Sequence, residues 1–299
     1  MSAEEFQAYC AYSANEYSGI GITVRKDEKG RGLIIREVEA DSPADRAGIQ
    51  VGMLLLRVND TDMAGKTSTD ARAAILAAGD ADIRLLMEDE FGERKTFSVR
   101  TGVLKLDVVF SKMLEENIGY IRIANFEDGS ADSAIEALNS LLDDGADGIV
   151  FDVRSNPGGQ LSELIQLLDY ILPEGTLFIN QSKDGKEVHR YSGADCIKCP
   201  MAVLVDADSY SAAEFFAAAL SEYDWATVVG EQTTGKARSQ INIGLSDGSV
   251  LHISTARYLT PKRVDLAETG GLVPDIIVEL GLEGDSQLDA AVKHLLHLP

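Results

Sequence analysis

Apolar and polar positions follow two different rhythms along the chain. Between residues 18 and 63 the apolar residues come in short alternating runs, "GIGITV", "LIIREV" and "MLLLRV". The polar stretches "DEKGRG", "DSPADRAG" and "VND" separate them. Period-two alternation cut by Gly, Pro, Asp and Asn predicts short β-strands and turns. The run "STDARAAILAAG" (68–79) has helical spacing, with Ser68 or Thr69 as N-cap and Gly79 as its stop. Two further strands, "ADIRLLMED" and "RKTFSVR", joined by a turn at "EFGE", close the unit near Thr101. The pattern predicts a small β-rich domain with two short helices over 18–102, after a helical segment over 1–17.

From 103 to 299 strands and helices alternate. "IGYIRIANF", "ADGIVFDVR", "TLFINQ", "MAVLVD", "ATVVG", "QINIG" and "VLHISTARYLT" read as strands. "GSADSAIEALNSLLDDG", "GQLSELIQLLDYILPEG", the run ending "FFAAAL" and the terminal "DAAVKHLLHL" (289–298) read as helices. The alternation implies an α/β unit with a largely parallel sheet and helices on its faces.

A length of 299 residues fits about two domains. The net charge of −22 argues against nucleic acid and anionic membranes as main partners. No apolar run reaches the ~18–20 residues that cross a bilayer. The opening "MSAEEFQAYCAYSANEYSG" has neither the basic nor the apolar region of a signal peptide. Three cysteines are too few for a disulfide scaffold. Cys196 and Cys199 form one C-x-x-C, but no second pair completes a zinc site. They read as small residues entering a strand, with a local redox disulfide as the alternative. No metal or cofactor is implied.

Four stretches could carry chemistry. In "DADSYSAAEFFAAAL" (206–220) a polar turn meets a long apolar helix. Ser211 and Glu214 have capping-box spacing, so Ser211 reads as a helix cap. The cap is the reading this stretch alone favours; a helix N-terminus also favours negative charge on an attacked carbonyl, so a nucleophile is the alternative. "DVRSNPGG" (152–159) follows a buried strand, and its glycines free backbone N–H groups to face a site. "VVGEQTTGKARSQ" (228–240) sets Lys236 and Gln240 just after another strand. "SGIGITV" (18–24) could form a nest of N–H groups for a carboxylate beside an open strand edge.

Together these blocks, with "STARYLTP" and "GGLVPDIIVEL", resemble the carboxyl-terminal processing peptidases, or tail-specific proteases, over nearly the whole chain. The resemblance implies a PDZ domain ahead of a ClpP/crotonase-like protease core and a Ser–Lys mechanism. It implies Ser211 as nucleophile, Lys236 as base and Gln240 as the residue holding the lysine. It implies an oxyanion hole from Gly158, Gly159 and Ala212. Glu222 falls where some members carry a supporting acid. A lysine acts as base only as the neutral amine, which burial among uncharged neighbours such as Thr233, Thr234, Gly235 and Ala237 would favour. Tails with apolar C-termini would dock at Gly19, Ile20, Gly21 and Ile22, with the helix near Ala71–Ile75 lining an apolar pocket. The PDZ domain would also act as a gate on the Ser–Lys pair. Tyr210 stands where the family has a small residue, Ala213 where it has a third serine, and Ala237 replaces a glycine. Family cores follow an export signal and a helical segment. The resemblance therefore implies that this chain is a trimmed form of an extracytoplasmic protein, periplasmic or anchored on the outer membrane face. It leaves room for an adaptor and for a homodimer through terminal segments outside the chain. The competing readings are a non-catalytic PDZ scaffold and, last, a crotonase-like acyl-CoA enzyme.

Overall fold

The computed structural model describes residues 1–79, 81–281 and 284–297. Leu298, the last residue of the run read as the terminal helix, lies outside them. The chain opens with helix α1 (Ala3–Ser13), capped by Ser2. It then divides into two compact units: Glu16–Leu106, and Met1–Asn15 together with Asp107–Pro299.

The described residues of the Glu16–Leu106 unit form strands β1 (Glu16–Gly19), β2 (Ile22–Lys26), β3 (Leu33–Val38), β4 (Leu54–Val58), β5 (Thr61–Asp62), β6 (Ile83–Glu88), β7 (Arg94–Val99) and β8 (Gly102–Lys105). β1 pairs with β8, and the rest form one sheet in the order β2-β3-β4-β6-β7 with β5 beside β4. Alternate residues Leu33 and Ile35, and Ile83, Leu85 and Met87, enter one core, as their period-two spacing dictates. Helix α2 (Pro43–Arg46) starts at Ser42, whose hydroxyl accepts from Asp45 N–H at 3.1 Å. Helix α3 (Ser68–Leu76) is capped by Thr67, one or two residues before the caps read from sequence. The reason is local: Thr67 and Asp70 have the three-residue spacing that closes a reciprocal capping box, at 3.2 and 2.8 Å.

The second unit holds a six-stranded sheet. Its strands are β9 (Val109–Met113), β10 (Ile118–Ile123), β11 (Gly148–Asp152), β14 (Met201–Val205), β15 (Ala226–Gly230) and β18 (Ile276–Ile277). The order is β18-β15-β14-β11-β10-β9, parallel except for antiparallel β9. Helices α4 (Ser130–Asp143), α5 (Leu161–Ile171) and α6 (Ala212–Glu222) contribute to one core, and α8 (Ser286–Leu296) to another. The strands divide their side chains accordingly. Ile149 and Phe151 go to the first core, and Val150 to the second. Met201, Val203 and Val205 join the first; Ala202 and Leu204 join the second. A strand apolar at every position is what a sheet buried on both faces requires.

The sequence reading placed every core strand in one largely parallel sheet. Four instead form a separate antiparallel sheet in the order β13-β12-β17-β16: β12 (Gly175–Ser182), β13 (Glu187–Ser192), β16 (Arg238–Gly244) and β17 (Val250–Leu259). No helix separates β12 from β13 or β16 from β17. Asp-Gly steps at Asp184-Gly185 and Asp247-Gly248 turn each hairpin. A short helix α7 (Leu266–Thr269) follows β17.

Candidate active site

Three loops meet at the carboxyl ends of the central parallel strands β11, β14 and β15, the end of such sheets where ligands bind. They line a cavity of about 690 Å³ with Gly158, Gly159, Ser211, Lys236 and Gln240 on its wall. Another cavity in this unit, about 640 Å³ beside Cys199 and Trp225, contains none of the residues singled out as catalytic. It touches Met201 and Ala226, at the amino ends of β14 and β15.

The loop after β11 is held rigid from below. Asp152, fully buried, accepts from the Tyr120 hydroxyl and from Arg154, both at 2.6 Å. Arg154 also reaches Asp285 at the start of α8, at 2.8 Å. Burial, then the bond to Asp152, pushes the Tyr120 hydroxyl up to about 12. Asn156 is fully buried and donates to Ile123 C=O at 2.8 Å. Its side-chain oxygen accepts from Gly158 N–H at 2.8 Å. Gly158 N–H therefore serves the turn, not the cavity, which departs from its expected place in the oxyanion hole. Gly158 still has to be glycine: at φ 86° an added Cβ would lie 2.8 Å from Ser211 Cβ and Ala212 N. Gly159 N–H and Ala212 N–H donate to no protein acceptor among the described residues.

The loop after β14 carries two serines on either side of Tyr210, and they face different surroundings. Ser209 is fully buried, and its hydroxyl donates to Val153 C=O at 2.7 Å. It ties the β14 loop to the β11 loop. Ser211 lines the cavity and takes φ 58°, ψ −121°. That conformation is strained for a residue with a Cβ and outside the extended region of an ordinary N-cap. It resembles the sharp strand-to-helix elbow that presents a nucleophile.

Glu214 is the residue whose reach the sequence hid. The capping-box reading foresaw one bond: Ser211 N–H donates to its carboxylate at 2.8 Å. The same fully buried carboxylate also accepts from Gly235 N–H at 2.6 Å, from Lys236 N–H at 2.9 Å and from the Thr233 hydroxyl. One side chain thus pins the backbones of Ser211 and Lys236 to each other. Its partners lie 19 to 22 residues away, outside any local pattern.

Lys236 itself is exposed, contrary to the burial expected from its uncharged neighbours. Its Nζ lies 5.1 Å from the centre of the Tyr210 ring. No hydrogen bond joins it to the Ser211 hydroxyl among the described residues. Gln240 lies on β16, exposed, on the same cavity wall. Glu222 is not at the cavity. It ends α6, about 16 Å of helix from Ser211, and accepts from Thr260 Oγ1 at 2.6 Å and Lys262 N–H at 2.5 Å.

Glu127 is a second residue the sequence did not reveal. It is 6% exposed, lines the cavity and accepts from Gln160 Nε2 at 3.2 Å. Burial is the main cause that pushes its carboxyl up to about 7, aided by the charges of Asp128 and Glu163. An acid raised on folding stabilises the native state below its unfolded value, and that stability is lost as pH rises through the folded value. Wild type should therefore lose up to roughly 3 kcal/mol between about pH 4.5 and 7 from this group. Urea unfolding of Glu127→Gln across that range should show a flatter pH profile. An unchanged profile would contradict the burial argument.

In the other unit, Gly19, Ile20, Gly21 and Ile22 lie together along a groove between β2 and α3. Ile20 and Gly21 turn their carbonyls inward, to Ala44 N–H at 2.9 Å and Glu39 N–H at 3.0 Å. Their N–H groups donate to no protein acceptor among the described residues. Gly21 has φ 77°, and an added Cβ would stand 2.2 Å from Ser42 Cβ.

Residues 117–278 match peptidase family S41, and residues 12–88 match the PDZ domain. The carboxyl-terminal-processing protease of Synechocystis sp. is 30% identical over 93% of this chain and 66% of its own length. The carboxy-terminal processing protease CtpA of Bacillus subtilis is 28% identical over 94% of this chain and 60% of its own. The chain thus spans about two thirds or less of these relatives' lengths. The solved photosystem II D1 C-terminal processing protease shares the fold, with TM-score 0.57 and 22% identity over 99% of this chain and 80% of that one. The S41 match alone covers more than half of the residues, and the chain belongs to peptidase family S41.

Proposed function

We propose that the protein is a serine endopeptidase of the C-terminal processing type. It captures protein tails in a PDZ domain over 18–102 and cleaves peptide bonds in a core over 103–299. The observation that carries this reading is a convergence in one cavity. A strained Ser211, the free N–H groups of Gly159 and Ala212, and a Lys236 loop held by the same Glu214 all meet there.

The Ser211 hydroxyl attacks the peptide carbonyl as the Lys236 amine takes its proton. The oxyanion accepts from Gly159 and Ala212 N–H, each donor worth a few kcal/mol. Collapse expels the amine fragment, which takes the proton from Lys236 and leaves an acyl ester on Ser211. The same amine then deprotonates the water that hydrolyses the ester. Gln240 orients the amine, Gly158 shapes the turn, and Glu222 supports the far end of α6. A chain lying in the cavity displaces water from around Lys236.

Tyr210 holds Lys236 in its present position by a cation–π contact worth about 0.5–1 kcal/mol. Tyr210→Ala should therefore raise kcat/KM about two- to fivefold. A lower rate from a normally folded variant would contradict this role.

The tail's carboxylate accepts from Ile20 and Gly21 N–H, and its apolar last side chain lies against Ile22 and Ile75. Among the described residues no helix is long and apolar enough to cross a membrane. We place the full-length protein outside the cytoplasm, and cell fractionation tests that placement. The reading as a whole is tested with an unfolded protein bearing either a free apolar C-terminus or the same tail amidated. Rapid cleavage of the free-tailed form, with the amidated form at least tenfold slower, is expected. Equal rates would remove tail capture from the account.

A further inference from the structure

Glu127 faces the Ser211 cavity, and the reaction assigned there does not use it. We propose that Glu127 directs cleavage to the carboxyl side of lysine and arginine, by receiving the basic side chain of the residue whose carbonyl Ser211 attacks. The inference rests on peptide cleavage at Ser211 and adds to it the kind of residue that is cut.

Glu127 differs from the buried acids Asp152, Asp265 and Glu214 in what answers its charge. Asp152 accepts from Tyr120 and Arg154. Asp265 accepts from Arg238 and from Ala267 N–H, both at 3.0 Å. Glu214 accepts from three backbone N–H groups and the Thr233 hydroxyl. Among the described residues the Glu127 carboxylate enters no ion pair and accepts one bond, from Gln160 Nε2 at 3.2 Å. That donor is shared, because Gln160 Nε2 also lies 2.6 Å from Asp128 Oδ1 and 3.0 Å from Ser13 C=O. An amide nitrogen has two hydrogens to give, and Glu127 is the farthest of its three acceptors. The lysine and arginine on the cavity wall are engaged elsewhere, Lys236 over the Tyr210 ring and Arg238 on Asp265. A carboxylate that is 6% exposed and so poorly answered gains from any cation that reaches it from the cavity.

Backbone pairing sets this carboxyl beside the oxyanion site. Phe126 N–H donates to Gly158 C=O at 2.8 Å, and Gln160 N–H donates to Phe126 C=O at 2.6 Å. Glu127 thus runs alongside Gly159, where an added Cβ would stand 2.9 Å from Glu127 N. In the assigned reaction Gly159 N–H holds the oxygen of the attacked carbonyl. The residue that supplies this carbonyl therefore enters the cavity next to Glu127. Tyr9 and Tyr12 of α1 line the same cavity. Burial, then the Glu127 charge, pushes the Tyr12 hydroxyl up, which sets that ring near the carboxylate. The stem of a lysine or arginine lies along an aromatic ring while its charged head reaches the acid. An apolar side chain would leave Glu127 as poorly paired as before, and an acidic one would face it with like charge.

The test is cleavage of peptides that share one apolar C-terminal tail and differ at a single internal position, Lys, Arg, Met or Glu, in a background of Ala, Ser and Gly. Rates are read as kcat/KM, and the cut is placed by mass spectrometry. Wild type should cut after Lys and Arg about ten- to a hundredfold faster than after Met, as expected for a hydrogen bond between charged groups, and slowest after Glu. Glu127→Gln should bring the Lys rate to within about threefold of the Met rate, while Glu127→Asp keeps part of the preference. Equal rates after Lys and Met in wild type overturn the proposal whatever the variants do. An unchanged Lys preference in Glu127→Gln, or a cut on the amino side of lysine, overturns it too. Peptides that wild type leaves wholly uncut would refute cleavage at Ser211 and this proposal with it, whereas cleavage without a preference for Lys refutes this proposal alone.

Discussion

Ser211→Ala should lower peptide hydrolysis at least a thousandfold while leaving stability nearly unchanged. The kinetic loss is that of removing a nucleophile, whose acyl step nothing else in the cavity can perform. The stability forecast follows from what Ser211 touches. Glu214 accepts the backbone N–H of residue 211, not its hydroxyl, so alanine keeps that bond. The backbone angles of φ 58° and ψ −121° are as strained for alanine as for serine. Cleavage kinetics and urea unfolding on the same preparation check both halves. A Ser211→Ala protein that still cleaves would move the chemistry elsewhere.

Glu214→Ala should be damaging in both respects. It leaves four donors near the cavity without their acceptor: the N–H groups of Ser211, Gly235 and Lys236 and the Thr233 hydroxyl. Each buried donor left unpaired costs about 1–3 kcal/mol, partly recovered by water that enters, so a net loss of about 3–5 kcal/mol is expected. The Lys236 loop then loses its tie to the nucleophile helix. A misplacement of about 1 Å is enough to slow a reaction about a hundredfold. Glu214→Gln keeps the shape and one acceptor oxygen but turns an NH₂ toward N–H donors, so it should fall between. Denaturant unfolding and kcat/KM of the two variants provide the check. Wild-type stability and rate in Glu214→Ala would show that the carboxylate positions nothing.

Much of this was written locally. The continuously apolar "IVF" and "MAVLV" runs specify strands buried on both faces, because consecutive residues feed two cores. The turns that follow β11 and β14 carry their glycines and serines in sequence, and Ser211 stands out by its place at a helix start. What the sequence concealed is what depends on distant partners. Glu214 has the spacing of a cap and is one, but its bonds to Gly235 and Lys236 form only when β15 lies beside β14. The uncharged neighbours of Lys236 suggested burial, yet burial belongs to tertiary packing and the side chain is exposed. Glu127 looks like a surface acid until its surroundings close over it. Asn156 takes the N–H of Gly158 by a side-chain turn that glycine spacing alone does not disclose. The separate antiparallel sheet was signalled by two Asp-Gly turns, but the βα alternation around them dominated the pattern.

The most direct test of the central claim is mass spectrometry after labelling with a fluorophosphonate in the presence of a tail peptide. The account predicts one covalent adduct per chain, on Ser211 and not on Ser209, formed much more slowly in Lys236→Ala. An adduct on another residue, or labelling of Ser211 at the same rate without Lys236, would contradict a Ser211–Lys236 mechanism.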